Sequence, residues 1–254
     1  MKAPMPEFLA PRLIRSLVAI CALAGLSACA VPQQQSLGHI RQASTLNDPM
    51  PGPDQAARNF ITVAQRMEPV IEEECRNRTS GSGRNCDYQI MVDDRADQDP
   101  NAFQTVDQLG RPVVAFNLAL IAQAQNQDEL AFVMGHEAAH HIAGHLQSKE
   151  KDAQTGAMLL GSLAAASGAG ADMVAQAQNL GAEMGSRTFS KDYELEADRL
   201  GTIITYDAGY DPLLGARFFT RIPDPGDVFL GTHPANALRL DVVRQTMAQL
   251  QGGV

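Results

Sequence analysis

The run His136-Glu137-Ala138-Ala139-His140 constrains this chain more than any other stretch. It reads H-E-x-x-H and lies in an apolar, helix-forming segment, residues 130–146. On a helix the four-residue step brings His136 and His140 to one face, a turn apart, where two imidazoles can hold one metal ion. Glu137 then stands beside that ion, free to take a proton from water. The flanks strengthen a motif that alone is only a hypothesis. Asn126 with Glu129 three residues on makes a capping box, and Asp128 and Glu129 load the first turn with negative charge. Leu130, Phe132, Val133, Ile142 and Leu146 give the core face of a helix expected over residues 129–147. The competing reading is a surface helix that happens to carry polar residues. Two histidines and a glutamate inside an Ala/Val/Met-rich run weigh against it, and the chain reads as a zinc hydrolase, foremost a peptidase.

Two histidines leave a catalytic zinc one protein ligand short. The candidate third lies in Ser190-Lys191-Asp192-Tyr193-Glu194-Leu195-Glu196-Ala197-Asp198. Ser190 is a good N-cap and Gly209 a fitting stop for the helix between them. Glu194 and Asp198 share a face, while Glu196 points elsewhere. Glu194 would bind the metal, and Asp198 would accept the spare N–H of a ligand histidine and fix its tautomer. The alternative is an ordinary solvated acidic face. A third piece is Thr232-His233-Pro234, with Arg239 following. Pro234 suits the first position of a closing helix, residues 235–250, which puts His233 on its opening turn. There His233 would steady an oxyanion as a hydrogen-bond donor, occupy the open metal position in a resting state, or merely cap its own helix. At 100° per residue His145 falls opposite His136, so it reads as packing or local hydrogen bonding rather than as a ligand.

These residues carry a resemblance. The chain resembles the gluzincin peptidases of the HtpX and CAAX-prenyl-protease family, with H-E-x-x-H followed by E-x-x-x-D on a later helix. More narrowly it is similar to bacterial periplasmic members and to the mitochondrial inner-membrane quality-control protease. The shared forms are H-E-x-x-H-x-x-x-G-H, ending here at Gly144 and His145, and S-[RK]-x-x-E-x-E-A-D, matched at Ser190, Lys191, Glu194, Glu196, Ala197 and Asp198. The His-Pro followed by Arg matches too, and the resemblance spans roughly residues 55–250. It implies His136, His140 and Glu194 as ligands of one zinc ion per chain, Glu137 as general base, Asp198 supporting a ligand, and His233 near the metal. No repeat of about 34 residues follows, so no tetratricopeptide partner platform is expected.

The N-terminus is equally informative. Arg12 and Arg15 precede a short apolar run, residues 17–26, and Leu26-Ser27-Ala28-Cys29 has the form of a bacterial lipoprotein cleavage site. Residues 1–28 therefore read as a signal peptide, with Cys29 lipidated; a plain secretory signal is the runner-up. Ala30, by resemblance to other lipoproteins, favours the periplasmic face of the outer membrane. Of four cysteines, Cys21 leaves with the signal and Cys29 takes lipid, leaving Cys75 and Cys86 to form a disulfide in an oxidising compartment. A metal-thiolate pair is the poorer alternative, because the spacing fits no zinc knuckle. The full chain has 20 basic and 29 acidic residues, and without residues 1–28 these become 17 and 28, a net charge of −11. Such acidity argues against nucleic acid and against binding through anionic headgroups, so membrane attachment is expected from the lipid alone.

Residues 29–53 are Gln-, Pro- and polar-rich and read as a flexible tether; residues 54–254 suffice for one metallopeptidase domain. An opening helix is expected over residues 54–74. Strands follow at 87–92, 103–106 and 112–116, the last two joined by an Asp107–Gly110 turn. A short helix over 118–124 then leads to the metal helix. The implied class is α+β, mainly helical, with a small sheet beside the active-site helix. By resemblance to other gluzincins, Val113, Val114, Ala115 and Phe116 form the sheet edge that takes a substrate strand; covering the core is the equal alternative. Residues 156–185 are nearly all Ala, Gly, Leu, Met and Ser. They read as a mobile helical hairpin lidding the cleft, with membrane contact or core packing as alternatives.

The expected function is cleavage of misfolded or stalled envelope proteins by a lipid-anchored zinc endopeptidase. The rivals are a holdase for unfolded outer-membrane proteins with a structural zinc, and a metal-dependent hydrolase of cell-wall or lipid bonds.

Overall fold

The computed structural model describes residues 50–224, 226 and 233–252. The signal peptide, Cys21, Cys29 and His39 lie outside them, as does most of the tether.

Helix α1 (Pro53–Arg78) opens with proline in its first turn, where the missing N–H costs nothing. Its buried residues Ala56, Phe60, Val63, Met67, Ile71 and Cys75 recur at three- and four-residue steps and form one wall of the core. A disulfide joins Cys75 to Cys86, tying the end of α1 to the chain leading into the sheet.

The sheet has three strands, β1 (Gln89–Asp93), β2 (Ala102–Val106) and β3 (Pro112–Asn117), in the order β1-β3-β2. Strand β1 runs parallel to β3, with Ile90 opposite Val114; β2 runs antiparallel to it, with Phe103 opposite Ala115. The β2–β3 turn closes on Asp107, whose N–H donates to the Arg111 carbonyl at 2.9 Å, and Gly110 supplies the positive φ of 74°. The expected substrate edge at Val113, Val114, Ala115 and Phe116 is corrected here: β3 is the central strand, paired on both sides and buried throughout. Its continuous apolar run reads the same as an edge in sequence, but it marks a strand covered on both faces. The strand at the border of the cleft is β2.

Strand β3 leads through α2 (Leu118–Gln123) into α3 (Gln127–Ala143), whose first turn is capped as expected: the Glu129 N–H donates to Asn126 Oδ1 at 2.9 Å. The Glu129 carboxylate reaches one residue past the cap, accepting from the Gln125 N–H, and is gripped by both guanidinium nitrogens of Arg221 at 2.6 Å. Helix α3 does not continue to residue 147. Gly144, at φ 77°, ends it, and α4 (His145–Ala166) starts in a new direction. Only glycine takes this conformation without strain.

Helices α4 and α5 (Ala171–Thr188) form a hairpin whose glycines allow near backbone contact: a Cβ on Gly156 would lie 2.0 Å from the Gly181 carbonyl oxygen. The expected hairpin is there, but only the root of α4, through His145, Leu146 and Lys149, borders the cleft. Among the described residues no helix is long and apolar enough to cross a membrane.

Helix α6 (Ser190–Asp207) crosses α3 at Gly135 and Gly201, where a Cβ on Gly201 would lie 2.8 Å from the His136 nitrogen. Ser190 is not its N-cap. Because α5 runs almost directly into α6, the Ser190 hydroxyl donates back to the Ser186 carbonyl instead. Helix α7 (Pro212–Gly215), a 3-10 turn over Ala216–Thr220, and α8 (Asn236–Gly252) complete the domain.

Candidate metal centre

The first and second metal helices bring three donor side chains together. His136 and His140 project from α3 and Glu194 from α6. Their nearest approaches are similar, with each imidazole facing a different oxygen of the carboxylate: His136 Nε2 to His140 Nε2 3.2 Å, His136 Nε2 to Glu194 Oε2 3.4 Å, and His140 Nε2 to Glu194 Oε1 3.5 Å. Ligands at zinc-bond lengths around a tetrahedral ion would be separated by roughly 3.3–3.4 Å. The N, N, O donor set at these spacings therefore fits a zinc-sized cation, and all three residues line a cleft of about 740 Å³.

Neither imidazole is isolated. His136 Nδ1 is 2.9 Å from Asp198 Oδ1, and Asp198 in turn accepts from Arg239 Nε at 2.7 Å and Arg239 Nη2 at 2.6 Å. The Arg239 guanidinium carbon lies over the Phe219 ring, 3.8 Å from its centroid. His140 Nδ1 is 2.9 Å from His145 Nδ1, and His145 Nε2 is 3.1 Å from Glu196 Oε2.

The electrostatics divide the pair. Burial would lower His136, but its hydrogen bonds to Asp198 and Glu194 outweigh that and raise it to about 9. His140 is pushed down to about 2 by burial and by the neighbouring His136 charge. Burial would raise Glu194, yet the hydrogen bonds from His136 and His233 hold it well below the usual carboxylate range. Glu137, at the cleft wall, is raised to about 7 by desolvation, which outweighs the opposing pull of the His136 charge. A carboxyl poised there can take and return a proton near neutral pH.

His233 Nδ1 lies 3.2 Å from Glu194 Oε2 on the open side of the cleft, with its side chain 54% exposed. Because α8 begins at Asn236, whose N–H is capped by Asp224 Oδ1 at 3.1 Å, His233 is not on the helix's opening turn and does not cap it. Thr232 lies outside the described residues.

The cleft is bordered by β2 through Ala102, Phe103 and Gln104, and its apolar wall includes Phe132, Val133, Phe218 and Phe219. The sequence profile of Peptidase family M48 matches residues 63–247, which carry every side chain of this centre. The chain belongs to peptidase family M48. Similar proteins include the putative beta-barrel assembly-enhancing protease of Vibrio cholerae, 35% identical over 150 residues, covering 54% of this chain and 31% of the relative. The beta-barrel assembly-enhancing protease of Escherichia coli K12 is 32% identical over 152 residues, with the same 54% and 31% coverage. Mitochondrial metalloendopeptidase OMA1 of Schizosaccharomyces pombe is 30% identical over 164 residues, covering 61% of this chain and 46% of the relative. The match thus spans about a third of the bacterial relatives' length.

Within this M48 domain, the structure brings His136, His140, Glu194, Asp198 and His233 to one place, with Glu137 on the same cleft. Arg239 stands in the His-Pro-Arg pattern, which gives it no role, and the local hydrogen bonding expected of His145 extends to Glu196, which nothing in the spacing singles out. The helix break at Gly144 turns His145 back towards His140, against the uninterrupted helical geometry assumed for it.

Proposed function

We propose that this M48 domain is a zinc-dependent endopeptidase that cleaves unfolded proteins of the bacterial envelope. The observation that carries the reading is the convergence of the His136, His140 and Glu194 side chains beside Glu137, in a cleft bordered by the edge strand β2. A bound zinc ion would supply a Lewis acid that polarises the scissile carbonyl and acidifies the attacking water. His136, His140 and Glu194 would hold it. Glu137 takes the water's proton and returns it to the leaving amine. His233, beside Glu194 and exposed to the cleft, steadies the developing oxyanion. An extended substrate adds along the outer edge of β2, where backbone hydrogen bonds align its carbonyl without demanding a sequence.

The relatives' names support envelope proteins as the substrate class, and the Leu26–Cys29 cleavage form supports a lipid anchor on Cys29 at the outer membrane's periplasmic face. Glu137→Gln removes the base and keeps every ligand. The variant is expected to bind zinc like the parent yet lose cleavage of an unfolded protein such as casein. Undiminished cleavage rejects Glu137 as base. Parent protein that binds casein in zinc without cutting it would favour a holdase.

A further inference from the structure

We infer that His145 and Glu196 are positioning residues for the metal, forming with His140 a hydrogen-bonded chain that sets which nitrogen of His140 is free to bind it. The inference rests on the metal reading above. For His140 Nε2 to offer a lone pair beside His136 and Glu194, the ring proton must sit on Nδ1. That N–H points at His145 Nδ1, 2.9 Å away, which must then accept. The proton of His145 is left on Nε2, 3.1 Å from the Glu196 carboxylate, an acceptor only. Each bond therefore dictates the next, from the exposed Glu196 to the half-buried His140. His145 itself is 2% exposed, so its nitrogens have little recourse to water.

The surrounding chain holds this arm in place. Gly144 ends α3 so that His145 begins α4 facing His140. The Tyr193 ring stacks on His145, with centroids 4.7 Å apart and planes 25° apart, and its hydroxyl donates to Asp152 Oδ2 at 2.7 Å. Asp152 belongs to α4, so the hairpin's root and the metal helix α6 are fastened together around the His145 ring. The two ligand histidines thus have unlike supports: His136 leans on the buried Asp198–Arg239 pair, and His140 on a chain that ends at the surface.

The test measures the zinc dissociation constant of the full chain by competition with a chromophoric chelator, alongside the melting temperature of the metal-free protein. His145→Phe keeps a ring against Tyr193 and deletes both nitrogens. It is expected to weaken zinc binding about 10- to 100-fold, the range for losing a partner of a metal-bound histidine. Glu196→Ala is expected to weaken it about threefold, and the double variant no more than His145→Phe alone, since Glu196 acts through His145. Zinc affinity of His145→Phe within twofold of the parent overturns the inference, as do effects that multiply in the double variant. If His145→Phe does not fold, Glu196→Gln decides. It keeps an oxygen acceptor and should fall nearer the parent than Glu196→Ala, and equal losses reject the chain. Failure of the parent to take up zinc in the same titration rejects the metal reading itself, a result seen without any variant.

Discussion

Arg239 grips Asp198 through one guanidinium edge, Nε to Oδ2 at 2.7 Å and Nη2 to Oδ1 at 2.6 Å, while Asp198 holds His136 Nδ1 at 2.9 Å. Burial would push Asp198 upward, and the Arg239 bonds reverse that and keep it ionised. A surface arginine would have done little here, but this pair is almost fully removed from water. Arg239→Met strands a buried carboxylate and is expected to destabilise the metal-free protein by about 3–5 kcal/mol. Urea unfolding checks this, and a loss below about 1 kcal/mol would show that Asp198 finds another partner.

The Gly135–Gly201 crossing sets how closely the two metal helices approach. A methyl on Gly201 meets the His136 backbone at 2.8 Å, which neither helix can relieve by turning a side chain. Gly201→Ala is expected to cost about 1–3 kcal/mol and to weaken metal binding, because it displaces α6 and with it Glu194. Gly170→Ala is the control: nothing lies within 4 Å of its Cβ, so metal binding should be unchanged. Thermal unfolding and chelator competition read both quantities.

Tyr88 gives the fold a pH dependence away from the metal. Its hydroxyl donates to the Ala138 carbonyl at 3.0 Å, and burial raises its pKa well above the ordinary value of 10.0. Above pH 10 the unfolded chain releases a proton that the folded chain keeps, so stability falls as pH rises, by up to about 1.4 kcal/mol per pH unit. Below pH 10 the residue contributes no slope. Tyr88→Phe should remove this share of the alkaline loss while costing about 1 kcal/mol at neutral pH. Denaturation midpoints compared across pH 8–11.5 distinguish the two effects; an unchanged alkaline slope would place the titration elsewhere.

The Cys75–Cys86 bridge closes a short loop between α1 and the sheet, with Cys75 fully buried. Reducing it, or replacing both cysteines with alanine, is expected to cost about 3 kcal/mol on the chain-entropy account. Urea unfolding with and without reductant measures it. Equal midpoints would mean that packing alone holds this corner.

What the chain determined by itself was what local periodicity can carry. A four-residue step on a helix is a geometric statement, so the pairing of His136 with His140, and the common face of Glu194 and Asp198, could be read without coordinates. The cap at Asn126, the glycine stop at Gly209 and the helical hairpin were legible for the same reason, since each depends on neighbours within a few residues. The tertiary structure decided everything that depends on which elements meet. Pairing order made β3 the centre of the sheet and gave the cleft border to β2, because a buried apolar run looks alike whichever neighbour covers it. A single positive φ at Gly144 turned His145 from the far side of a helix into a partner of His140. Arg239, 41 residues from Asp198, found its carboxylate only through the packing of α8 on α6. Long-range pairs of this kind leave no period in a sequence, because their spacing is set by the fold and not by the repeat of the backbone.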